Sequence, residues 1–434
     1  MQKKIRIIGG GLAGSEAALQ FAKRGWQVDL YEMRPKRMTP AHSTDKLGEL
    51  VCSNSLKSSL LTTASGLLKA ELRLLGSELL KIADEVRVPA GNALAVDRDL
   101  FSEKVTERIL QESMIKVHNE EVKELGDEPT ILATGPLTSD AMSSVLNNLV
   151  GQDDLHFYDA IAPIISAESI NREIVYRKSR YDKGTADYLN CPFTKEEYLR
   201  FVDALLEGEI YMGKSFEGEL LQKNIQFYEN CTPVEELAKR GKDTLRFGVM
   251  RPVGLELPDT GRRPYAVIQL RSENNDETAF NLVGCQTMMT QDSQRKVFRM
   301  IPGLESAEFY RYGSIHRNSY INAPLLLNRD LSLKTKKNVY IAGQLSGVEG
   351  YVESIASGLL VSLIITERLD YLPNTTIIGQ LWERLTNTDG KEFTPQNANY
   401  GLLPPLEVKV SSKAERKETF AKRAIQSLEE ALER

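Results

Sequence analysis

The sequence predicts an α/β protein in which both ends of the chain form a Rossmann-like domain and an α+β domain is inserted between them. Three observations support this prediction. A strand, a glycine turn and a helix follow one another at the very start of the sequence. A second strand that ends in a glycine-rich turn lies near residue 340, and the region between the two is richer in charge and less regular.

The first strand and its glycine turn have the pattern of a dinucleotide-binding fingerprint. Residues 5–8 are typical of a short buried strand, and G-x-G-x-x-G follows at Gly9, Gly11 and Gly14. Gly9 allows a tight turn, Gly11 lets the backbone approach a pyrophosphate, and Gly14 lets the helix pack against the strand. Glu32 ends the second strand, where its carboxylate would accept a hydrogen bond from a ribose hydroxyl.

The fingerprint fits NAD or FAD, and the late glycine turn favours FAD. Residues 343–351 (G-Q-L-S-G-V-E-G-Y) follow a strand and precede a helix whose positive N-terminus would point toward a flavin ring. The alternative for this second turn is a tight packing site without a ligand. The residues predicted to bind the cofactor are Gly9, Gly10, Gly11, Leu12, Ala13, Gly14, Glu32, Arg34, Gly343, Gly347, Gly350 and Tyr351.

Hydrophobic periodicity predicts the remaining elements and the domain boundaries. The predicted elements are helices over 60–82, 98–111, 351–369 and 411–434, an extended segment over 86–96, and strands at 130–135 and 338–343. The change in character along the chain predicts a nucleotide-binding domain over residues 1–180 and 321–434, with the inserted domain over 181–320.

The composition is that of an ordinary soluble globular protein. The 434 residues carry a net charge of −5, which does not indicate a nucleic-acid binder but leaves room for a local basic patch. Four widely spaced cysteines favour a reducing, cytoplasmic setting. No apolar run approaches the roughly 18 residues that a membrane helix needs. With only four histidines, we expect no metal site.

Two of the cysteines are candidates for catalysis. Cys231 precedes Thr232 and Pro233, with Glu235 placed to complete a capping box, so a helix N-terminus would favour its thiolate. A small buried side chain is the equally plausible alternative. Cys52 lies in a polar, serine-rich stretch before a long predicted helix, which argues against deep burial.

Several longer stretches of the sequence carry recognisable motifs. They are residues 9–18, 30–34, 49–56, 88–98, 243–248 (D-T-L-R-F-G), 251–255 (R-P-V-G-L), 312–318, 342–354 and 397–402. Together they resemble one known family, the folate- and FAD-dependent tRNA (uracil-5-)-methyltransferases, or TrmFO family, and the resemblance runs from end to end. A larger tRNA-modifying flavoprotein, MnmG, shares the opening fold but typically carries a histidine in its glycine turn, where this sequence has Leu12.

The resemblance implies an RNA methylation that uses no S-adenosylmethionine. The one-carbon donor would be 5,10-methylenetetrahydrofolate, the cofactor FAD, the reductant NADH or NADPH, and the product 5-methyluridine in the T-loop of tRNA. Cys231 matches the family cysteine proposed as nucleophile, and Cys52 matches a second cysteine suited to act as a base or proton-transfer partner; the sequence leaves open which of the two has which role. His316, and after it His42, would stack on the folate.

The RNA would meet a basic cluster that is interleaved with tyrosines, unless that cluster is only a solvated loop. Its members are Arg172, Arg177, Lys178, Arg180 and Lys183. Three alternatives stay open: the same chemistry on ribosomal RNA, a flavin-dependent oxidoreductase acting on a small molecule, and a non-catalytic RNA-binding flavoprotein. The oligomeric state is not predicted.

Overall fold

The structure is a computed structural model that describes residues 3–151, 155–182, 185–211, 232–366, 369, 371–387, 393–407 and 410–433. For residues 155–159 and 316–317, which lie in strands, only the backbone is described. Lys183 and Cys231 are outside the described residues.

The described residues form sixteen strands and thirteen α-helices. The strands are β1 Lys4–Ile8, β2 Gln27–Glu32, β3 Ser55–Ser58, β4 Arg87–Val88, β5 Ala93–Val96, β6 Ile115–Asn119, β7 Thr130–Leu132, β8 Leu155–Ile161, β9 Ile164–Ser166, β10 Tyr176–Arg177, β11 Tyr188–Phe193, β12 Ala266–Ser272, β13 Ala279–Leu282, β14 Phe309–Arg311, β15 Ser314–Tyr320 and β16 Val339–Ile341. The helices are α1 Leu12–Lys23, α2 Ala64–Leu74, α3 Glu78–Glu85, α4 Arg98–Gln111, α5 Asp140–Val150, α6 Lys195–Glu207, α7 Val234–Lys239, α8 Thr244–Phe247, α9 Gln291–Phe298, α10 Ala323–Leu326, α11 Tyr351–Ile365, α12 Ile377–Thr386 and α13 Lys413–Leu432.

A parallel sheet of five strands, in the order β16-β7-β1-β2-β6, forms the centre of the first unit. Its strands β7 and β16 are short and largely buried, whereas the edge strand β6 has exposed polar positions. Helices α1 and α11 pack against each other so closely that a Cβ on Gly358 would lie 2.2 Å from the carbonyl oxygen of Ala13. Both helices begin at the carboxyl end of the sheet, because α1 follows β1 and α11 follows β16. Ligands bind at that end in such folds.

The second unit is built on an antiparallel sheet of six strands in the order β10-β11-β12-β13-β9-β14. Its apolar core is separate from that of the parallel sheet and is drawn from Ile165 to Phe309. Helix α6 covers this core and begins with a capping box, in which Thr194 and Glu197 exchange hydrogen bonds. This α+β unit, set between the two parts of the parallel sheet, confirms the predicted fold class.

Two smaller sheets lie between these units, and they are β15-β8 and β3-β5-β4. Helix α12 is tied to α2 through Glu71, whose buried carboxylate accepts hydrogen bonds from the backbone N–H groups of Ile377 and Ile378 at 2.9 Å each. Burial raises the pKa of this carboxyl to about 8. Within the described residues, no helix is long and apolar enough to cross a membrane.

The predicted helix over 60–82 is wrong in one respect, because the structure divides it into α2 and α3. The break falls at Gly76, which has φ +84°, and Ser77 then caps α3 by accepting a hydrogen bond from Leu80 N–H. The predicted helix over 351–369 ends at Ile365 among the described residues. The helix over 98–111 is confirmed.

Candidate functional site

A cleft of about 1030 Å³ opens at the carboxyl end of the parallel sheet. It is bounded by the glycine turn after β1, the end of β2, the segment after β7 and the turn before α11. The predicted cofactor and folate residues among those that line it are Gly9, Gly11, Leu12, Ala13, Glu32, Arg34, His42, Gly343 and Tyr351.

The glycine turn divides into positions that pack and a position that faces the cleft. A Cβ on Gly14 would lie 1.9 Å from the carbonyl oxygen of Gly9, and a Cβ on Gly9 would lie 2.3 Å from that of Ala133. A Cβ on Gly11 would meet no atom within 4 Å, and Gly11 is the N-cap of α1. The turn thus leaves open space at a helix N-terminus, which fits the pyrophosphate of a dinucleotide.

Arg34 lies between two carboxylates at the edge of this cleft. Its side chain is only 1% exposed, with Nε 3.0 Å from Glu32 Oε1 and Nη1 3.1 Å from Glu49 Oε2. Burial alone would raise the pKa of Glu32, but the hydrogen bonds and charge of Arg34 outweigh it and the pKa lies below its usual value. Glu32 also accepts a hydrogen bond from Gly10 N–H at 3.0 Å, which fixes its carboxylate against the glycine turn.

His42 also faces the first cleft. Its Nδ1 lies 2.6 Å from Thr39 Oγ1. Burial, and then the charge of Arg34, lowers its pKa to about 4, so the ring is neutral at pH 7. His316, the other histidine predicted to stack on a folate, lies on β15, but its side chain is outside the described part of the chain.

A second cleft of about 1170 Å³ adjoins the first. It is lined by Cys52 and its neighbours, by Gly350 and the first residues of α11, and by Arg271 and Gln286 from the inserted unit. The two clefts share part of their wall, and the shared residues are Val51, Pro136, Leu137, Gln344 and Tyr351. A ligand in the first cleft could therefore contact one in the second.

Tyr351 fixes the backbone at Cys52. Its hydroxyl oxygen accepts hydrogen bonds from the backbone N–H groups of Cys52 at 2.7 Å and Ser53 at 3.2 Å. Burial raises the pKa of the Tyr351 hydroxyl well above its usual value, so it stays protonated. Cys52 is partly exposed in the wall of the second cleft, as its polar surroundings predicted.

Two partly buried arginines, Arg98 and Arg311, lie near the Cys52 segment, and no sequence motif distinguished them. Arg98 Nη1 donates to the carbonyl oxygen of Leu50 at 2.7 Å, and its Nη2 lies 2.8 Å from Glu273 Oε2. Burial would lower the pKa of Arg98, but the Glu273 carboxylate raises it. Burial, and then the charge of Arg98, lowers the pKa of Arg311.

Glu353 and Lys69 are two further buried charges that the sequence did not reveal. Glu353 is 1% exposed and lines the second cleft, and its Oε2 has no hydrogen-bond partner within the described residues. Its Oε1 lies 3.6 Å from Lys57 Nζ. Lys69 donates to the carbonyl oxygen of Leu56 at 2.7 Å, and burial lowers its pKa to about 7.

The capping box predicted after Cys231 does not form. Helix α7 begins at Val234 with Pro233 as its N-cap, and no side chain caps it. The Glu235 carboxylate accepts instead from Met288 N–H at 2.5 Å and Thr287 Oγ1 at 3.2 Å, and burial raises its pKa to about 7. Cys231 itself lies outside the described residues, so its predicted role stays a prediction.

Most of the predicted basic cluster is engaged within the protein. Arg177 makes two hydrogen bonds to Glu277, at 3.0 and 2.6 Å. Lys178 lies 3.4 Å from Asp182, and Arg180 donates to the carbonyl oxygen of Val253 at 2.7 Å. The remaining members are Arg172, whose guanidinium lies 5.4 Å from the ring centre of Phe280, and Lys183, outside the described residues.

Gly10, Gly14 and Gly347 lie behind the surface of the clefts rather than in it. Gly14 and Gly347 are packing positions, since a Cβ on Gly347 would lie 2.5 Å from the Phe393 ring. Gly10 contributes its N–H to Glu32. Among the described residues, no group of three or more histidine, cysteine or acidic residues could hold a metal ion.

Comparisons with known proteins agree with this architecture. The model of the family described as "GIDA: Glucose inhibited division protein A" matches residues 4–372. The "Methylenetetrahydrofolate--tRNA-(uracil-5-)-methyltransferase TrmFO" of Halalkalibacterium halodurans is 52% identical over 430 residues, 98% of each chain. The protein of the same name from Bacillus subtilis is 52% identical over 433 residues, 99% of this chain and 98% of the relative.

A solved structure, GidA of Aquifex aeolicus, matches with a TM-score of 0.67 at 16% sequence identity, over 98% of this chain and 73% of that chain. At that identity the likeness concerns the fold alone.

Proposed function

The chain belongs to the family of glucose inhibited division protein A and to the TrmFO methyltransferases, and from that premise we propose that it methylates C5 of a uridine in the T-loop of tRNA. The methylene carbon comes from 5,10-methylenetetrahydrofolate. The observation that carries the proposal is the shared wall of the two clefts, because it lets a dinucleotide and a second ligand meet beside Cys52.

The first cleft fits FAD, and the fit rests on the open space at Gly11 beside the N-terminus of α1. Residues 9–14 would hold the pyrophosphate, Glu32 with Arg34 the adenosine ribose, and the turn at 343–351 the flavin side. When bound, FAD supplies the electron pair that reduces the transferred methylene carbon to a methyl group. NADH or NADPH is the proposed source of those electrons.

The second cleft would receive the uracil ring and the folate. A thiolate adds to C6 of uracil, which breaks the C5=C6 double bond, places negative charge on the O4 side and makes C5 nucleophilic. C5 attacks the methylene carbon, and one of the two carbon–nitrogen bonds that hold this carbon in the folate breaks. A base then removes the C5 proton, the second carbon–nitrogen bond breaks and tetrahydrofolate leaves. The exocyclic methylene that remains on C5 would be reduced to a methyl group by the electron pair named above as the thiolate leaves C6. We assign Cys231 as the nucleophile and Cys52 as the proton-transfer group, with Tyr351 holding the Cys52 backbone in place.

The neutral imidazole of His42 is suited to stack on the pterin ring, and His316 is the other candidate. Arg271 in the wall of the second cleft would contact the carboxylates of the folate tail. We place this chemistry in the cytoplasm. The two end parts of the chain would hold the cofactor, and the inserted unit would face the RNA. The six-stranded sheet of that unit already includes β9 and β10, which precede the boundary predicted at residue 180.

The test is the formation of 5-methyluridine in an unmodified tRNA transcript. The protein is supplied with FAD, NADPH or NADH, and methylenetetrahydrofolate, without S-adenosylmethionine. Product that depends on the folate supports the proposal. If tRNA gives no product but ribosomal RNA does under the same conditions, the substrate is ribosomal RNA. If neither RNA gives product and the flavin oxidises a small molecule, the protein is an oxidoreductase instead.

The cysteine assignments are tested in the same assay. Cys231→Ala and Cys52→Ala should each abolish product while FAD and RNA still bind. Cys191→Ala is the matched control, because Cys191 is buried in the second core, away from the clefts, where burial raises the pKa of its thiol. Full activity in Cys231→Ala would overturn the assignment of the nucleophile.

A further inference from the structure

One motif of the inserted unit projects an aromatic side chain into solvent. Residues 243–248 (D-T-L-R-F-G) form the single turn α8 and the glycine after it, and the R-P-V-G-L motif follows at 251–255. Phe247, at the end of α8, is 73% exposed. Exposing a phenylalanine ring to this extent costs hydrophobic stabilisation, since full burial of such a side chain contributes about 1.5–3 kcal/mol.

Arg246 contacts this ring, and Arg251 follows it closely in the chain. The Arg246 guanidinium lies 4.2 Å from the ring centre of Tyr265 and 5.3 Å from that of Phe247, and its Nε donates to the carbonyl oxygen of Tyr265 at 3.0 Å. Arg246 is thus held in one place beside the Phe247 ring. Arg251 is exposed four residues further along, and within the described residues no carboxylate lies within ion-pairing distance of it.

The surface around Phe247 is basic. Between residues 239 and 251 there are five basic side chains and one acidic one, Asp243. The basic residues are Lys239, Arg240, Lys242, Arg246 and Arg251. In the cluster over 172–180, by comparison, internal carboxylates and carbonyl groups accept hydrogen bonds from most of the basic side chains. Within 239–251, Lys239 pairs with Glu236 and Arg246 lies 3.9 Å from Asp243. Lys242 and Arg251 are exposed and make no ion pair with another described residue, so they are the positive charges that this segment offers to a polyanion.

This basic surface lies close to the second cleft. A Cβ on Gly284 would lie 2.7 Å from Val249 Cβ, so Val249, two residues after Phe247, packs directly on Gly284, two residues before Gln286. Gln286 lines the second cleft. A strand of RNA that enters this cleft can therefore reach Phe247 with neighbouring nucleotides.

We propose that Phe247 is a stacking platform for an unpaired base of the RNA substrate, with Arg251 contacting a phosphate and Arg246 positioning the ring. The inference rests on the proposed function, because it takes RNA to be the substrate. Loop nucleotides that are not paired expose a π-face, and protein aromatic side chains bind them by stacking. The flanking arginines match the phosphate charge on either side of such a base.

The test compares Phe247→Ala with Phe247→Trp in the full-length protein loaded with FAD. The dissociation constant of an unmodified tRNA transcript is measured by filter binding, and kcat and KM by 5-methyluridine formation. Stacking is worth about 1–3 kcal/mol per base, so Phe247→Ala should weaken RNA binding about 5- to 150-fold and raise KM. Phe247→Trp should keep the wild-type affinity, and the flavin spectrum should not change in either variant.

Arg251→Gln is the second variant, chosen because an exposed side chain can be shortened without disturbing a core. It should reduce the slope of log Kd against log salt by about 0.7–0.9, the value expected for one lost phosphate contact. Tyr371→Ala is the matched control: Tyr371 is 55% exposed on the other unit, and the change should leave RNA binding unaltered.

The outcomes separate this inference from the proposed function. If the wild-type protein neither binds nor methylates tRNA, the proposed function fails and Phe247 is not at issue. If the wild type methylates tRNA and Phe247→Ala binds it equally well, the stacking platform is refuted. If Phe247→Ala changes only the oligomeric state in gel filtration, the ring belongs to a protein interface and the inference is likewise overturned.

Discussion

Replacement of Gly11 by alanine should block the cofactor without unfolding the protein. A Cβ at this position meets no protein atom within 4 Å, and the backbone at φ −75° and ψ −167° is open to alanine. The cost to the apoprotein is that of alanine at a helix N-cap, about 1 kcal/mol or less. The same Cβ occupies the space in which a pyrophosphate would approach the N-terminus of α1.

The expected loss of FAD affinity follows from the hydrogen bond that a backbone N–H at the start of α1 would donate to the pyrophosphate. A hydrogen bond from a backbone N–H to a charged phosphate oxygen contributes about 1.5–3 kcal/mol. Preventing one such bond raises the dissociation constant about 10- to 150-fold. The assay titrates FAD into the apoprotein and follows flavin fluorescence, while urea unfolding of the apoprotein reports its stability.

Gly14→Ala is the matched comparison, since it makes the same chemical change three residues further along the turn. There the Cβ would lie 1.9 Å from the carbonyl oxygen of Gly9, a backbone atom that cannot move away cheaply. Overpacking of this kind costs about 1–3 kcal/mol or more, so this variant should lose apoprotein stability. The reasoning is refuted if Gly11→Ala binds FAD as tightly as the wild type, or if both variants unfold alike.

Three further predictions concern the buried charges and the hydroxyl between the clefts. Arg34→Met leaves Glu32 and Glu49 buried without their cation, so the free energy of unfolding in urea should fall by about 3–5 kcal/mol. A fall of less than about 1 kcal/mol would contradict the stabilising role of these ion pairs. His42 has a folded pKa of about 4 against a usual 6.5, so the unfolded chain binds more protons between these values. The free energy of unfolding should fall by up to about 3 kcal/mol as the pH drops from 6.5 to about 4. The prediction is refuted if the free energy of unfolding depends on pH in the same way in the wild type and in His42→Asn. Tyr351→Phe removes the acceptor of two backbone N–H groups, so the free energy of unfolding should fall by about 1–3 kcal/mol, which a lower melting temperature would show. The same change should reduce kcat more than it raises KM.

The nucleotide-binding half could be predicted from sequence because its signals are local. The strand, turn and helix at the start are specified by neighbouring residues, and β2 ends at Glu32 as expected. The division of the helix over 60–82 also had a local signal, because Gly76 and Ser77 are a stop followed by a cap. The regular spacing of leucines nevertheless predicted one continuous helix, because α2 and α3 both bury leucines in the same core.

The second cleft could not be predicted, because its partners are far apart in sequence. Tyr351 contacts the Cys52 backbone across 299 positions, and Arg98 meets Glu273 across 175. No spacing rule links such pairs. The basic cluster over 172–180 looked available to RNA for the same reason: Arg177 is neutralised by a carboxylate 100 positions away.

The polar bonds between the two units indicate what sets the geometry of the second cleft. Arg98 pairs with Glu273, and the Asn54 side chain accepts from Arg271 Nε at 2.8 Å and donates to the Ser272 carbonyl oxygen at 2.9 Å. Buried ion pairs contribute little net stability compared with apolar packing, because desolvation offsets their attraction. Their directionality is a separate effect, since each bond fixes both a distance and an angle. These contacts join the end of β12 in the inserted unit to the segment that carries Cys52. They therefore fix the position of Arg271 in the cleft wall relative to the Cys52 thiol. The uracil and the folate would meet in the cleft between them.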